Sequence, residues 1–160
     1  MIKANNNIAV MAPYASATFE VAKGKSLVSL AQNESFLPSS KRALTAGQRA
    51  AKEMVLYPDS SYQQLRSSIA KVHGLDAEKV LVSAGSMELI FALGQAYLSP
   101  SRSALSTQYS YAFFRTATAL AQAEFVTVPE PDLTVSVEHL LLAVSDNTSI
   151  VFVANPANPC

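Results

Sequence analysis

The sequence predicts an α/β domain with a mainly parallel sheet covered by helices on both faces. Three observations carry this. Short apolar runs (Val80-Leu81-Val82, Phe125-Val126-Thr127-Val128 and Ile150-Val151-Phe152-Val153) alternate with segments of helical spacing. These runs are apolar on both faces, as strands buried between two helical layers must be. Apolar residues make up 49% of the 160 residues and charged ones 15%, a balance tilted toward burial and suited to a surface that something else covers.

The elements follow in order. Residues 1–38 are interrupted by Pro13, Gly24 and Pro38 and read as an arm lying on another surface; residues 39–160 begin the domain proper. Ser39 or Ser40 can cap a helix over about 41–54. Tyr57-Pro58-Asp59 breaks the chain, because proline disfavours helix in the residue before it. Asp59 or Ser60 can cap the next helix, running to about 72, with Leu65, Ile69 and Val72 on one apolar face. Gly74 suits its left-handed C-terminal position. A strand at 80–82 then enters a tight turn, Ala84-Gly85-Ser86, and a helix over 87–97 that is apolar almost all round and so expected to be buried. A strand near 103–106, a helix over about 112–121, the strand 125–128 ended by Pro129 and Pro131, a helix over about 137–144 and the strand 150–153 complete the chain. Ligand chemistry in such a domain collects at the carboxyl ends of the strands.

Composition excludes several classes of function. Twelve Lys plus Arg against twelve Asp plus Glu leave no net charge, so nothing steers the chain to nucleic acid. The one cysteine, Cys160, permits no intrachain disulfide and fits a reducing compartment, read as the cytoplasm. No signal peptide is apparent, and no apolar run approaches the ~20 residues needed to cross a bilayer. His73 and His139 have no serine, cysteine or metal-ligand constellation around them.

Four places can carry chemistry. At Ala84-Gly85-Ser86-Met87-Glu88 a helix N-terminus offers unpaired N–H groups and a partial positive charge, which together bind phosphate. The plain alternative is that Gly85 makes the turn and Ser86 caps the helix. Gln108-Tyr109-Ser110-Tyr111 puts a tyrosine beyond a strand's carboxyl end, where it can stack on a flat ring; both tyrosines can equally be core or interface aromatics. Asn155-Pro156-Ala157-Asn158-Pro159 sets an amide donor after the most apolar strand, or is a simple turn. Tyr57 can reach a phosphate across a dimer interface, or is an incidental aromatic in a turn.

The order of these motifs resembles the class I/II (fold type I) aminotransferases that use pyridoxal 5′-phosphate (PLP), most closely those of the histidinol-phosphate type. Ile8-Ala9-Val10-Met11-Ala12-Pro13-Tyr14 is similar to that group's arm, and Leu30-Ala31-Gln32-Asn33-Glu34 to its Leu-x-x-Asn-Glu segment. Tyr57-Pro58-Asp59 with Leu65-Arg66, residues 80–90, Tyr109 and the Asn-Pro-x-Asn-Pro block complete the match. The resemblance implies the first part of a fold type I large domain, preceded by an arm and helices. It implies that Gly85, Ser86 and the backbone N–H of Met87 hold the PLP phosphate, that Tyr109 stacks on the pyridine ring and that Asn158 bonds the phenolic oxygen. It further implies that Tyr57 reaches the phosphate of a neighbouring subunit in a homodimer and that Asn33 lies near the substrate. Met87 stands where the group has aspartate, Ser35-Phe36 where it has Asn-Pro, Ala112 where it often has a second tyrosine, and Cys160 where it has threonine. The family's Schiff-base lysine, pyridine-pairing aspartate and carboxylate-binding arginine lie beyond Cys160, so the expectation is a chain inactive by itself. Two other readings are open: part of a related PLP decarboxylase of the threonine-phosphate type, and a non-catalytic subunit that pairs with another chain.

Overall fold

The computed structural model describes residues 2–3, 5–9, 11, 21, 23–28 and 33–158. Val10, Ala12, Pro13, Tyr14, Leu30-Ala31-Gln32, Pro159 and Cys160, named above, lie outside the described residues. The chain forms two units, one of residues 1–12 with 79–160 and one of 13–78.

In the first unit, three parallel strands form a sheet of order β2-β1-β3: β1 (Ser103–Thr107), β2 (Glu124–Val128) and β3 (Thr148–Val151). Each β1 residue is buried, because the central strand has a neighbour on either side and helices above and below. Helices α4 (Ser86–Tyr97) and α5 (Ala112–Leu120) serve one face, where Leu98, Ala104, Phe114 and Phe152 form a cluster. Helix α6 (Val137–Ala143) serves the other, where Leu105, Val128 and Leu140 meet. Adjacent β1 residues thus feed opposite cores, as the two-residue pleat requires. Ser136 caps α6 by accepting the His139 N–H. The backbones of α4 and α5 approach closely at Gly94, where an added Cβ would sit 3.3 Å from the Ala117 carbonyl oxygen.

Three expectations need correction here. Residues 80–82 form no strand: both sides of β1 are taken, and the segment builds no ladder of its own with β2 or β3. Val80 is buried while Leu81 is exposed. The helix at 86–97 is present but not buried all round. Met87, Phe91, Leu93 and Tyr97 are exposed, because α5 and the sheet cover only one side of it. The last strand sits two residues earlier than its apolar run, although the Phe152 N–H still reaches the Leu105 carbonyl at 2.8 Å. A short helix α1 (Asn6–Ala9) also falls within the stretch read as irregular, with the Asn7 amide donating to the Ala119 carbonyl of α5.

The second unit holds α2 (Lys41–Ala50), tightened to a 3₁₀ turn over Ala51–Glu53, and α3 (Gln63–His73). Ser40 precedes α2 without a side-chain cap bond. Gly74 ends α3 in the left-handed conformation, φ 66°. The apolar face of α3 is only partly buried: Leu65 and Val72 are exposed and Ile69 is half-buried. Helix α3 starts later than expected because Asp59 first makes its own turn, accepting from the Ser61 hydroxyl and N–H and then from the Gln63 N–H. The Ser61 hydroxyl, followed by the Ser61 N–H, holds the Asp59 carboxyl below its ordinary range. A depressed folded-state value means stability that is present above the unfolded pKa, about 3.9, and lost as pH falls through the folded one. The expected result is that protection of the Ser61 and Gln63 amides, measured against their intrinsic exchange rates, holds down to about pH 4 and is lost below it. In Asp59→Ala this protection is absent throughout.

Candidate functional site

The site is built on a geometric coincidence of lengths. Helix α4 spans twelve residues, about 18 Å at 1.5 Å per residue. Strand β1 spans five, about 17 Å. A short connection from Leu98 to Arg102 joins them, so α4 runs back along the sheet and its N-terminus returns to the carboxyl edge. The loops after β1 and β3 leave from that same edge because the strands are parallel. The α4 turn with Gly85-Ser86-Met87 and the loops that carry Tyr109 and Asn158 therefore leave from the same edge of one unit's sheet. Tyr57 and Asn33 belong to the other unit and are both exposed, Tyr57 completely.

At the α4 turn, Gly85 adopts φ 108°, ψ 166°, a region that is essentially glycine-only. As the residue preceding the helix it has no side chain, so the first-turn N–H groups receive no side-chain cap and face outward for an external acceptor. Two side chains hold the turn in shape. The Ser83 hydroxyl donates to the Gly85 carbonyl at 2.7 Å, and the Glu88 carboxylate accepts the Ala84 N–H at 2.7 Å. Glu88 binds two residues before the helix and leaves the amides of Ser86 and Met87 alone. Its spacing of three from Gly85 is that of a capping box, a signal legible in the sequence. An uncapped amide cradle, a glycine admitting close approach and the Ser86 hydroxyl form a donor set that fits a phosphate, and hence PLP.

The loop after β1 is fastened at successive amides. The Gln108 N–H continues the ladder to the Val128 carbonyl at 2.9 Å, and the Ser110 N–H closes back on Thr107. Between them, the Tyr109 N–H donates to the Glu130 carboxylate at 2.6 Å. The Tyr109 ring itself is half exposed, free to meet a ligand. Tyr111 is exposed to a similar degree and meets Phe114 in a T-shaped arrangement, with ring centroids 5.7 Å apart. Sequence reasoning missed Glu130, taking Pro129-Glu130-Pro131 only as the end of a strand. After β3 the chain turns through a cis Asn155–Pro156 bond to an exposed Asn158. A cavity of about 430 Å³ opens beside this turn, lined in part by Val135, Val153, Ala154 and Asn155.

Among the described residues no cluster of three or more His, Cys, Asp or Glu side chains could hold a metal, and no helix is long and apolar enough to cross a membrane.

Comparison with known proteins bears on the family and the fold. Residues 25–160 match the family described as aminotransferase class I and II. The histidinol-phosphate aminotransferase of Hyphomonas neptunium is 40% identical over 155 residues, covering 96% of this chain and 42% of the relative. That of Dinoroseobacter shibae is 39% identical over 133 residues, covering 83% and 37%. Among solved structures, histidinol-phosphate aminotransferase from Sinorhizobium meliloti in complex with pyridoxal-5′-phosphate superposes with a TM-score of 0.71 at 25% identity, covering 75% of this chain and 33% of that one. Thermus thermophilus aspartate aminotransferase shares the fold, with a TM-score of 0.80 at 18% identity over 99% of this chain and 46% of the other. The chain thus spans less than half the length of these relatives. With its α/β sheet and its matched residues, it belongs to the class I and II aminotransferases and corresponds to their N-terminal part.

Proposed function

We propose that this chain supplies the phosphate cup and ring-stacking face of a PLP-dependent aminotransferase of the histidinol-phosphate type, which moves an amino group between an amino acid or a histidinol-phosphate-like amine and a 2-oxo acid. One observation supports the reading: a glycine-only turn opens an uncapped helix N-terminus at the sheet edge from which the loops of Tyr109 and Asn158 also leave. In this reading the N–H groups of Ser86 and Met87 and the Ser86 hydroxyl hold the phosphate. Gly85 lets it approach, Tyr109 covers one face of the ring and Asn158 orients the ring through its phenolic oxygen. When bound, PLP supplies the electron sink that makes amino-group transfer feasible. Tyr57 belongs to a homodimer in this proposal. Its full exposure, next to the equally uncovered Met54, Val55 and Leu56, supports a partner subunit at that surface. Residues 1–38 act as an arm with Asn33 near the substrate, residues 39–160 begin the cofactor domain, and the compartment is the cytoplasm.

The test is titration of the chain with PLP, followed by borohydride reduction. Binding that phosphate competes away, is weakened by Ser86→Ala and leaves no adduct at any single lysine is the expected result. A stoichiometric adduct at one lysine would overturn the assignment of covalent attachment to residues outside this chain. Binding indifferent to Ser86→Ala and to phosphate would overturn the phosphate cup.

A further inference from the structure

Glu130 is 6% exposed and sits between two prolines just past the end of β2. One carboxylate oxygen accepts the Tyr109 N–H at 2.6 Å. The other is buried with no hydrogen-bond partner among the described residues. Thr107 and Val128 are the last paired residues of β1 and β2, and the Gln108 N–H takes the Val128 carbonyl. Alternate β1 groups face opposite neighbours, the Ser103 N–H meeting Asn147 and the Leu105 carbonyl meeting Phe152 on the β3 side, so the Tyr109 N–H is not next in the β2 ladder. In the loop it finds Glu130 instead, a charged acceptor, and such bonds are shorter and stronger than neutral ones. Pro131 restricts the backbone of Glu130 to extended values, observed at φ −113°, ψ 92°, which aims its side chain back at the loop.

A purely structural group at this depth would normally have both oxygens satisfied; leaving one bare carries a cost that sites of function tolerate and cores do not. We infer that Glu130 is a positioning residue: by gripping the Tyr109 amide it fixes the half-exposed Tyr109 ring in the orientation that stacks on the cofactor. This rests on the PLP reading above and deepens it, since Glu130 itself need not touch the ligand.

The test uses the ¹⁵N-labelled 160-residue chain and pyridoxine 5′-phosphate, which has the ring and phosphate but no aldehyde to react with lysines. In Glu130→Ala, amide exchange at Tyr109 should quicken at least tenfold while Ala104 and Leu105 in β1 keep their rates. Affinity for the probe should fall about tenfold, and no further in Glu130→Ala/Tyr109→Ala than in Tyr109→Ala alone, because one residue acts through the other. Glu130→Gln, which keeps a carbonyl acceptor, should recover most of both effects. Unchanged Tyr109 exchange, or additive losses in the double variant, would overturn the inference. Should Glu130→Ala not fold, the scalar coupling across the hydrogen bond from the Tyr109 nitrogen to Glu130 Cδ in the unsubstituted chain decides, its absence being the negative result. No binding of the probe by any form would sink the PLP reading instead and leave the exchange rates to decide on Glu130.

Discussion

Gly85→Val is expected to lower affinity for PLP or pyridoxine 5′-phosphate by one to two orders of magnitude while leaving the fold intact. The conformation at φ 108°, ψ 166° is open to glycine and costs other residues about 1–3 kcal/mol. At about 1.4 kcal/mol per tenfold, relaxation of the turn away from its phosphate-binding shape accounts for the loss. A steric cause is absent: an added Cβ at Gly85 meets no atom within 4 Å. The penalty is therefore conformational, and Gly85→Ala should already show most of it, with the β-branched valine only modestly worse. The turn lies at the surface, held by Ser83 and Glu88, so a destabilised turn need not unfold the sheet. Isothermal titration beside a urea melt separates the two effects. Equal affinity for the glycine and alanine forms would remove the α4 N-terminus from the proposed site.

Phe114→Ala is expected to destabilise the sheet unit by about 3–5 kcal/mol, a large fraction of what holds a domain of this size together. The Phe114 ring lies stacked on Phe152 with centroids 4.6 Å apart and takes the edge of Tyr111 from the side. It is buried with Leu98 and Ala104 on the α4–α5 face. Its removal leaves a void that the sheet cannot close, because Ala104 and Ala117 on either side are fully buried and small. The loss also frees Tyr111, and with it the loop that carries Tyr109. Urea unfolding of Phe114→Ala beside Leu142→Ala, whose side chain is exposed on α6, provides the measurement. The second should stay within about 0.5 kcal/mol of the parent. A Phe114→Ala cost below about 1 kcal/mol would mean that the Phe114–Phe152 stack is not the core of this face.

Local signals were legible where a residue's own chemistry decides its structure. Gly74 ended α3, Pro129 and Pro131 ended β2, and the apolar spacing located α4, α5 and α6 to within a residue or two. Legibility failed where the answer depends on partners distant in the chain. Val80-Leu81-Val82 has the composition of a strand, but a strand exists only with a neighbour to bond. The all-round apolar character of α4 was taken as burial, yet a helix cannot hide more faces than there are elements to cover it. The start of α3 moved because the Asp59 carboxylate competes locally for the amides that would have begun the helix. Among the site residues, the Gly85 turn could be read from its glycine and the helix behind it. The hold of Glu130 on Tyr109 could not, since it joins positions 21 residues apart, in the loops that follow two different strands.

The alternation within β1 bears on how this chain tolerates changes in length. Ala104 serves the cluster under α4 and α5 and Leu105 the cluster under α6, so every residue of Ser103–Thr107 has its side assigned. One amino acid gained or lost inside those five positions would hand each core the other's side chains and send the buried Ser106 hydroxyl away from the Phe152 carbonyl it bonds at 2.8 Å. The same gain in residues 132–134, which are exposed, would merely lengthen a surface excursion. Insertions and deletions over evolutionary time are thereby channelled into the excursions between strands and helices, and the five codons of the central strand form a frame that can change letters but not their number.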